Sequence, residues 1–378
     1  GYFGYELGRY IERLPRARER DLPFPELHLG IYDFVLAFDH EEGEWWAGVT
    51  DWEGRGGAGD ESFVTRETDR WLDSRASGSG IQASPAARRT AEAISTFSRS
   101  DYLRAVSRAL DYIAAGDIYQ ANLSQRFTVP APGLSPVEAY LRLREASPGG
   151  YGAYLGLGGG MAVLSVSPEL FLAFDGARAV TRPIKGTRPR GKNPEEDMRL
   201  IEELDGSAKD RAELAMIVDL LRNDLGRVCR YGSVRVEDPG SVQTHASVHH
   251  RAATISGMLH ERYGALDLLR AAFPGGSITG APKIRACEII AELEPTCRSV
   301  YTGSIGFLDA RGGMVLNIAI RTALFENARI HYQAGGGIVA DSNPEAEYEE
   351  TLHKARGFFI AMGMDGRLGA EGKTDERT

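Results

Sequence analysis

The chain has 378 residues, 42% of them apolar and 26% charged, which is ordinary for a globular protein of one large domain or two modest ones. Its formal net charge of −9 excludes a general nucleic-acid role and requires any anionic ligand to be met by cations gathered locally. Cys229, Cys287 and Cys297 are too few for a disulfide framework and lack zinc-knuckle spacing, no apolar run nears the ~20 residues of a membrane span, and no signal peptide is visible; the expectation is a protein of the reducing cytoplasm without membrane contact.

The chain opens at Gly1 without methionine, so the reading expects a trimmed or incomplete N-terminus. Residues 30–38 and 45–49 read as short strands. The stretch 53–90, rich in Gly, Ser, Arg and Asp without sustained period, reads as a mobile connection, which sets 1–90 apart as a partial N-terminal region. A first helix is predicted from Ser100 to Ala115, with Tyr102, Ala105, Val106, Leu110 and Ile113 on its apolar face and Gly116 ending it. Strands with glycine turns follow over 151–182. Asn193-Pro194 starts a helix that Asp205-Gly206 breaks. Ser207, with Asp210 three residues on, opens the next, which runs to Gly226. A helix starts after Pro282, strands recur at 300–308, 314–324 and 328–340, and Asn343-Pro344 opens a last helix to about Gly363. The mixture lacks a regular βαβ alternation and predicts an α+β protein with a catalytic domain over 91–365 and a disordered tail over 366–378.

Two helices carry acids at i,i+3 spacing, Asp210 with Glu213 and Glu347 with Glu350, so each pair shares a face. Asp210 falls within the apolar stripe of Leu214, Ile217, Val218 and Leu221, where an acid is costly unless compensated. First-turn acids favoured by the helix dipole, and an ordinary Glu350–Lys354 pair, form the plain explanation. A hard-cation site built by two helices is the functional one, and Mg²⁺ suits it.

Gly275 to Lys283 (GGSITGAPK) is not a phosphate loop, because Ala281-Pro282 separate Gly280 from Lys283 and Ile284 stands where Ser or Thr is needed. It remains a flexible loop ahead of a helix, able to expose N–H groups to an anion. Lys185 ends a strand-like run, and Gly186 allows a close approach. Burial or a cationic neighbour would make it a nucleophile, and Arg182 and Arg188 flank it; otherwise it is a surface lysine in a basic run. Glu169, after Ser167-Pro168, is placed to protonate a leaving group if its strand neighbours that of Lys185, and is otherwise a turn acid. His245, His249 and His250 form too loose a set for a metal.

Taken together, Ser167-Pro168-Glu169, Pro183-Ile184-Lys185-Gly186-Thr187, Asp210-Arg211-Ala212-Glu213, MIVDLLRND (216–224), FPGGSITGAPK (273–283), Ile320-Arg321-Thr322, AGGGIVAD (334–341) and EYEETLHKA (347–355) resemble the chorismate-utilising enzymes over nearly the whole chain. The resemblance implies a β-sandwich of two large, mostly antiparallel sheets with helices packed outside. It implies Mg²⁺ held by Glu213 and Glu350, with Asp210 and Glu347 behind them, and Lys185 as nucleophile with Glu169 assisting the leaving 4-hydroxyl. It assigns His250 as the active-site histidine. Tyr301, Arg321 and the backbone at Gly336-Gly337 would meet the second carboxylate, with Gly276, Thr279, Lys283 and Lys354 lining the pocket. Within the family, anthranilate synthases carry alanine in this motif (PIAGT) and aminodeoxychorismate synthases lysine (PIKGT). The chain therefore resembles the branch that turns chorismate and ammonia into 4-amino-4-deoxychorismate for folate. Anthranilate synthase and isochorismate synthase are the alternatives. No cysteine lies in a glutaminase elbow, so the ammonia is expected from a separate glutamine amidotransferase subunit. Two departures are visible. The usual His-Leu-Val-Ser/Thr run reads His250-Arg251-Ala252-Ala253-Thr254, and relatives carry several dozen residues ahead of the segment like Gly1 to Tyr5, a part that in some binds tryptophan.

Overall fold

The computed structural model describes residues 1–15, 19–49, 92–245 and 248–364, with a few between 65 and 73. The connection expected over 53–90 lies outside the described residues apart from those few, and so does the tail expected over 366–378. Two compact units are present, Gly1–His28 with Pro85–Thr378, and Leu29–Ser84. The first 28 residues thus group with the catalytic part of the chain and not with the segment that follows them. The smaller unit holds an antiparallel hairpin, Phe34–Asp39 against Glu44–Val49. Its turn uses Gly43 at φ 71°, and the Asp39 carboxylate accepts from the N–H groups of Glu41 and Glu42.

The larger unit is built on two antiparallel sheets. One runs in the order Ile184–Pro189, Val248–Met258, Arg178–Arg182, Leu170–Phe174, Met314–Asn317, Ser304–Leu308, Tyr2–Phe3, Leu27–His28, with Arg235–Thr244 also on Val248–Met258. The other runs Gly280–Ala281, Gln120–Pro130, Arg329–Ile338, Thr322–Glu326, Met161–Ser167, Tyr151–Gly158, with Ile94–Ser95 on Gln120–Pro130. Period-two alternation assigns the faces. Val163 and Leu324 pack with Tyr2 and Ile305 of the first sheet, filling the space between the sheets. Their chain neighbours Ala162, Leu164, Ala323 and Phe325 pack outward against the helices Pro136–Ala146 and Pro344–Ala361. Helices Ala208–Gly226 and Ala265–Ala272 cover the first sheet, through Leu214, Ile217, Leu221 and Leu268. Mixed helices and antiparallel sheets in this arrangement are the α+β sandwich expected.

The helix starts follow their capping chemistry. The side chains of Asn193, Ser207 and Asn343 accept from the N–H groups of Glu196, Asp210 and Ala346. The expected strand over 314–324 is instead two. Met314–Asn317 belongs to the first sheet and Thr322–Glu326 to the second, and residues 318–321 carry the chain across. Ser167, Pro168 and Glu169 make the opposite crossing between Met161–Ser167 and Leu170–Phe174. The crossings are bonded together: Ile318 N–H donates to the Glu169 carbonyl at 3.0 Å, Val166 N–H to the Arg321 carbonyl at 3.0 Å, and Ser167 Oγ to the Ile318 carbonyl at 2.6 Å. Arg321 adopts φ 49° there. Two of the expected site residues, Glu169 and Arg321, thus sit where strands change sheets, positions whose backbone is free of ladder pairing.

Candidate active site

Lys185 lies in the edge strand Ile184–Pro189, beside Val248–Met258. Gly186 adopts φ 82°, and a Cβ there would stand 2.8 Å from Leu204 Cδ1 and 2.9 Å from Asp210 Cγ. The glycine therefore lets the start of helix Ala208–Gly226 close onto the strand that carries Lys185. Burial pulls the Lys185 ammonium below its ordinary proton affinity; Glu213, Glu169 and Glu350 oppose this, and the positive charge of Lys354 adds to it. The expected cationic neighbours are elsewhere. Arg182 donates to Gln243, and Arg188 pairs with Glu203 at 2.7 Å and Asp210 at 3.4 Å. The cation beside Lys185 comes from the last helix instead.

Glu169 is 4% exposed. Burial pushes its carboxyl up to about 7, against a hydrogen bond from Ser277 Oγ at 2.6 Å, the charge of Lys185 and the Ile184 N–H. It is thus an acid that changes protonation near neutral pH and that feels the charge of Lys185.

Acids from the two helices act on one another: Glu213 feels the charges of Glu350 and Asp210, and Glu347 that of Glu350. Burial raises Glu213, and Lys185 and Lys209 pull it back, with the Lys209 ammonium 3.9 Å from Glu213 Oε1. Glu347 is raised chiefly by burial. Its Oε1 accepts from Ser342 Oγ at 2.6 Å, while its Oε2 is buried without a partner. Burial would raise Glu350 too, but Lys354, 2.6 Å away, wins and holds it below the usual carboxylate range. Gly336 backs this group, since a Cβ there would lie 2.9 Å from Glu347 Oε2 and 3.5 Å from Glu350 Oε1. Among the described residues no three His, Cys, Asp or Glu side chains are drawn together tightly enough to enclose an ion as they stand. The donor set is nevertheless all carboxylate, and an orphaned buried oxygen costs ~1–3 kcal/mol that a cation would recover. An all-carboxylate donor set is the kind that a hard divalent ion such as Mg²⁺ takes.

His250 is buried, with Nδ1 2.8 Å from Thr187 Oγ1. Burial first, then Arg321 and His245, push it down to about 3, so its imidazole is neutral. Arg321 is thereby near His250, and it also reaches Ser147 Oγ at 3.4 Å. Arg251, the departure from the family run, turns to the other face of the strand. Its guanidinium donates to the carbonyls of Gly240, Leu204 and Asp205, holding the end of helix Pro194–Gly206.

Other expected lining residues also make contacts within the scaffold. Lys283 Nζ donates to Asp224 Oδ2 and the Ala272 carbonyl, each at 2.7 Å. Asp224 is fourteen residues from Asp210, roughly 21 Å along the helix, so the structure does not bring Lys283 to the acids. Thr279 turns its hydroxyl to the Gly275 carbonyl at 2.9 Å, and Gly276 packs on Leu220. Gly337 lies against the Gln120 amide. Tyr301 is buried beside the guanidinium of Arg298, which forms a buried pair with Glu294 at 2.7 Å and donates to the Ile278 carbonyl. Sequence reasoning passed over Ser277, Lys209 and Arg298. Only Lys209 carried a signal, its i,i+4 spacing to Glu213.

Residues 1–359 match the family described as chorismate binding enzyme, and the chain belongs to it. It is 44% identical to aminodeoxychorismate synthase component 1 of Escherichia coli (strain K12), over 94% of this chain and 74% of that one. It is also 44% identical to anthranilate synthase component 1 of Thermus thermophilus, over 96% and 77%. The crystal structure of anthranilate synthase component I from Streptococcus pneumoniae TIGR4 superposes with a TM-score of 0.84 at 31% identity, covering 95% of this chain and 79% of that one. The fold is that of the chorismate-utilising enzymes. No helix among the described residues is long and apolar enough to cross a membrane.

Proposed function

We propose that the chain converts chorismate and ammonia into 4-amino-4-deoxychorismate through a covalent adduct on Lys185. One observation carries the reading: Lys185, whose ammonium burial pulls below its ordinary proton affinity, feels the charge of Glu169, an acid poised near neutrality. Lys185, as free amine, adds to the ring while the 4-hydroxyl takes a proton from Glu169 and leaves as water. The Glu169 carboxylate recovers a proton from the new N–C bond's nitrogen. Ammonia then bonds to the carbon that lost the hydroxyl and expels the lysine, whose nitrogen takes the proton ammonia gives up. Tyr301, Arg321, the backbone at Gly336-Gly337 and neutral His250 orient the substrate. Mg²⁺ held by Glu213 and Glu350, with Asp210 and Glu347 behind, would supply a fixed double charge for a substrate carboxylate. A separate glutamine amidotransferase subunit supplies the ammonia, in a cytoplasm that keeps the three free cysteines reduced.

A second reading, anthranilate synthesis, is favoured by the equal identity to the Thermus relative. Product analysis with chorismate, Mg²⁺ and ammonium decides. Aminodeoxychorismate is expected, and fluorescent anthranilate formed without a lyase would overturn the proposal.

A further inference from the structure

The acids on helices Ala208–Gly226 and Pro344–Ala361 already have a cation of their own. Lys209 stands one residue before Asp210; its ammonium is 3.9 Å from Glu213 Oε1, and its charge also pulls, more weakly placed, on Glu347 and Glu350. The two other lysines nearby are committed. Lys354 is bound to Glu350 and to the Gly335 carbonyl, and Lys185 belongs to the edge strand Ile184–Pro189. Lys209 is held loosely: it is 3.9 Å from Glu213, and its side chain is 58% exposed on a flexible stem. Three partly buried carboxylates repel one another, and a mobile ammonium among them lowers that cost without closing the site.

Resting on the metal reading above, we propose that Lys209 is a resident counter-cation of this cluster, shielding Glu213, Glu347 and Glu350 while no divalent ion is bound and displaced when one arrives. Metal binding is then an exchange of cations. The ion has to overcome an ammonium that the same carboxylates attract, and its affinity is held below what the bare acids would give. The ammonium's departure is cheap because most of it already faces water, so the site can load and unload its ion readily.

The test is calorimetric titration of the full chain with MgCl₂ alone, at fixed ionic strength. A unit charge about 4 Å away in water-like surroundings is worth roughly a fivefold change in affinity. Lys209→Met should bind Mg²⁺ about fivefold more tightly than the parent, whereas Lys209→Arg should stay near it. In EDTA, Lys209→Met should also melt below the parent, and the gap between metal-free and Mg²⁺-saturated melting should widen. Lys209→Gln serves as a second neutral variant if Lys209→Met folds poorly. Parent-like Mg²⁺ affinity in the neutral variants would overturn the inference alone. Weaker affinity would overturn it too, because Lys209 would then be arranging the acids for the ion. A parent that binds no Mg²⁺ would remove both this inference and the metal reading on which it rests.

Discussion

Glu169→Gln tests the protonation of the site's acid through stability as well as rate. Burial raises the Glu169 carboxyl from 4.5 to about 7, so the folded protein holds this proton more tightly than the unfolded chain. The group's contribution to stability is fully present below pH 4.5 and is lost as pH rises to about 7, because only the unfolded state gives up the proton freely in that window. The span is 7 − 4.5 = 2.5 units, worth about 3 kcal/mol at ~1.4 kcal/mol per unit. Glutamine is neutral throughout and can still accept from Ser277. Urea unfolding of parent and variant at pH 4.5 and pH 8 should therefore show the variant gaining about 3 kcal/mol on the parent between the two pH values. Turnover should be largely lost in the variant, and in the parent it should fall as the acid ionises above about pH 7. Parallel stability curves would refute the claim that Glu169 is an acid kept neutral by its surroundings.

Gly186→Ala forces a Cβ into left-handed backbone and toward Leu204 and Asp210. A loss of about 2–4 kcal/mol is expected in urea unfolding, and a loss below ~0.5 kcal/mol would show that the strand and helix need not approach so closely. Glu213→Gln and Glu350→Gln each remove a charged donor, so each should weaken Mg²⁺ binding at least tenfold in calorimetric titration. Titrations matching the parent would mean that the ion, if bound, is held elsewhere.

Much of this was legible in the chain because the signals were local. Asn193, Ser207 and Asn343 announced helix starts through their own capping chemistry, and i,i+3 spacing put each acid pair on one face of its helix. What escaped was long-range. The run 314–324 is apolar in both halves, and nothing local marks the point where it leaves one sheet for the other. The cation beside Lys185 was sought at Arg182 and Arg188, whose side chains reach Gln243, Glu203 and Asp210, and was found at Lys354 on the last helix. Lys283 entered the pocket through the resemblance alone, and its ion pair with Asp224, on the far part of a helix, is one that sequence spacing could not reveal. Ser277 gave no signal at all, since a serine between glycine and isoleucine reads as loop until Glu169 is seen beside it.

The central claim, a covalent bond from Lys185 to the substrate ring, is tested most directly by mass spectrometry of the protein quenched during turnover. Full-length protein would be mixed with chorismate and Mg²⁺ without ammonia, quenched, digested and mapped. The account predicts a peptide containing Lys185 heavier by chorismate less one water, absent in Lys185→Ala, with aminodeoxychorismate formation lost in that variant when ammonium is supplied. An unmodified Lys185 in the parent, together with undiminished aminodeoxychorismate formation by Lys185→Ala, would contradict it.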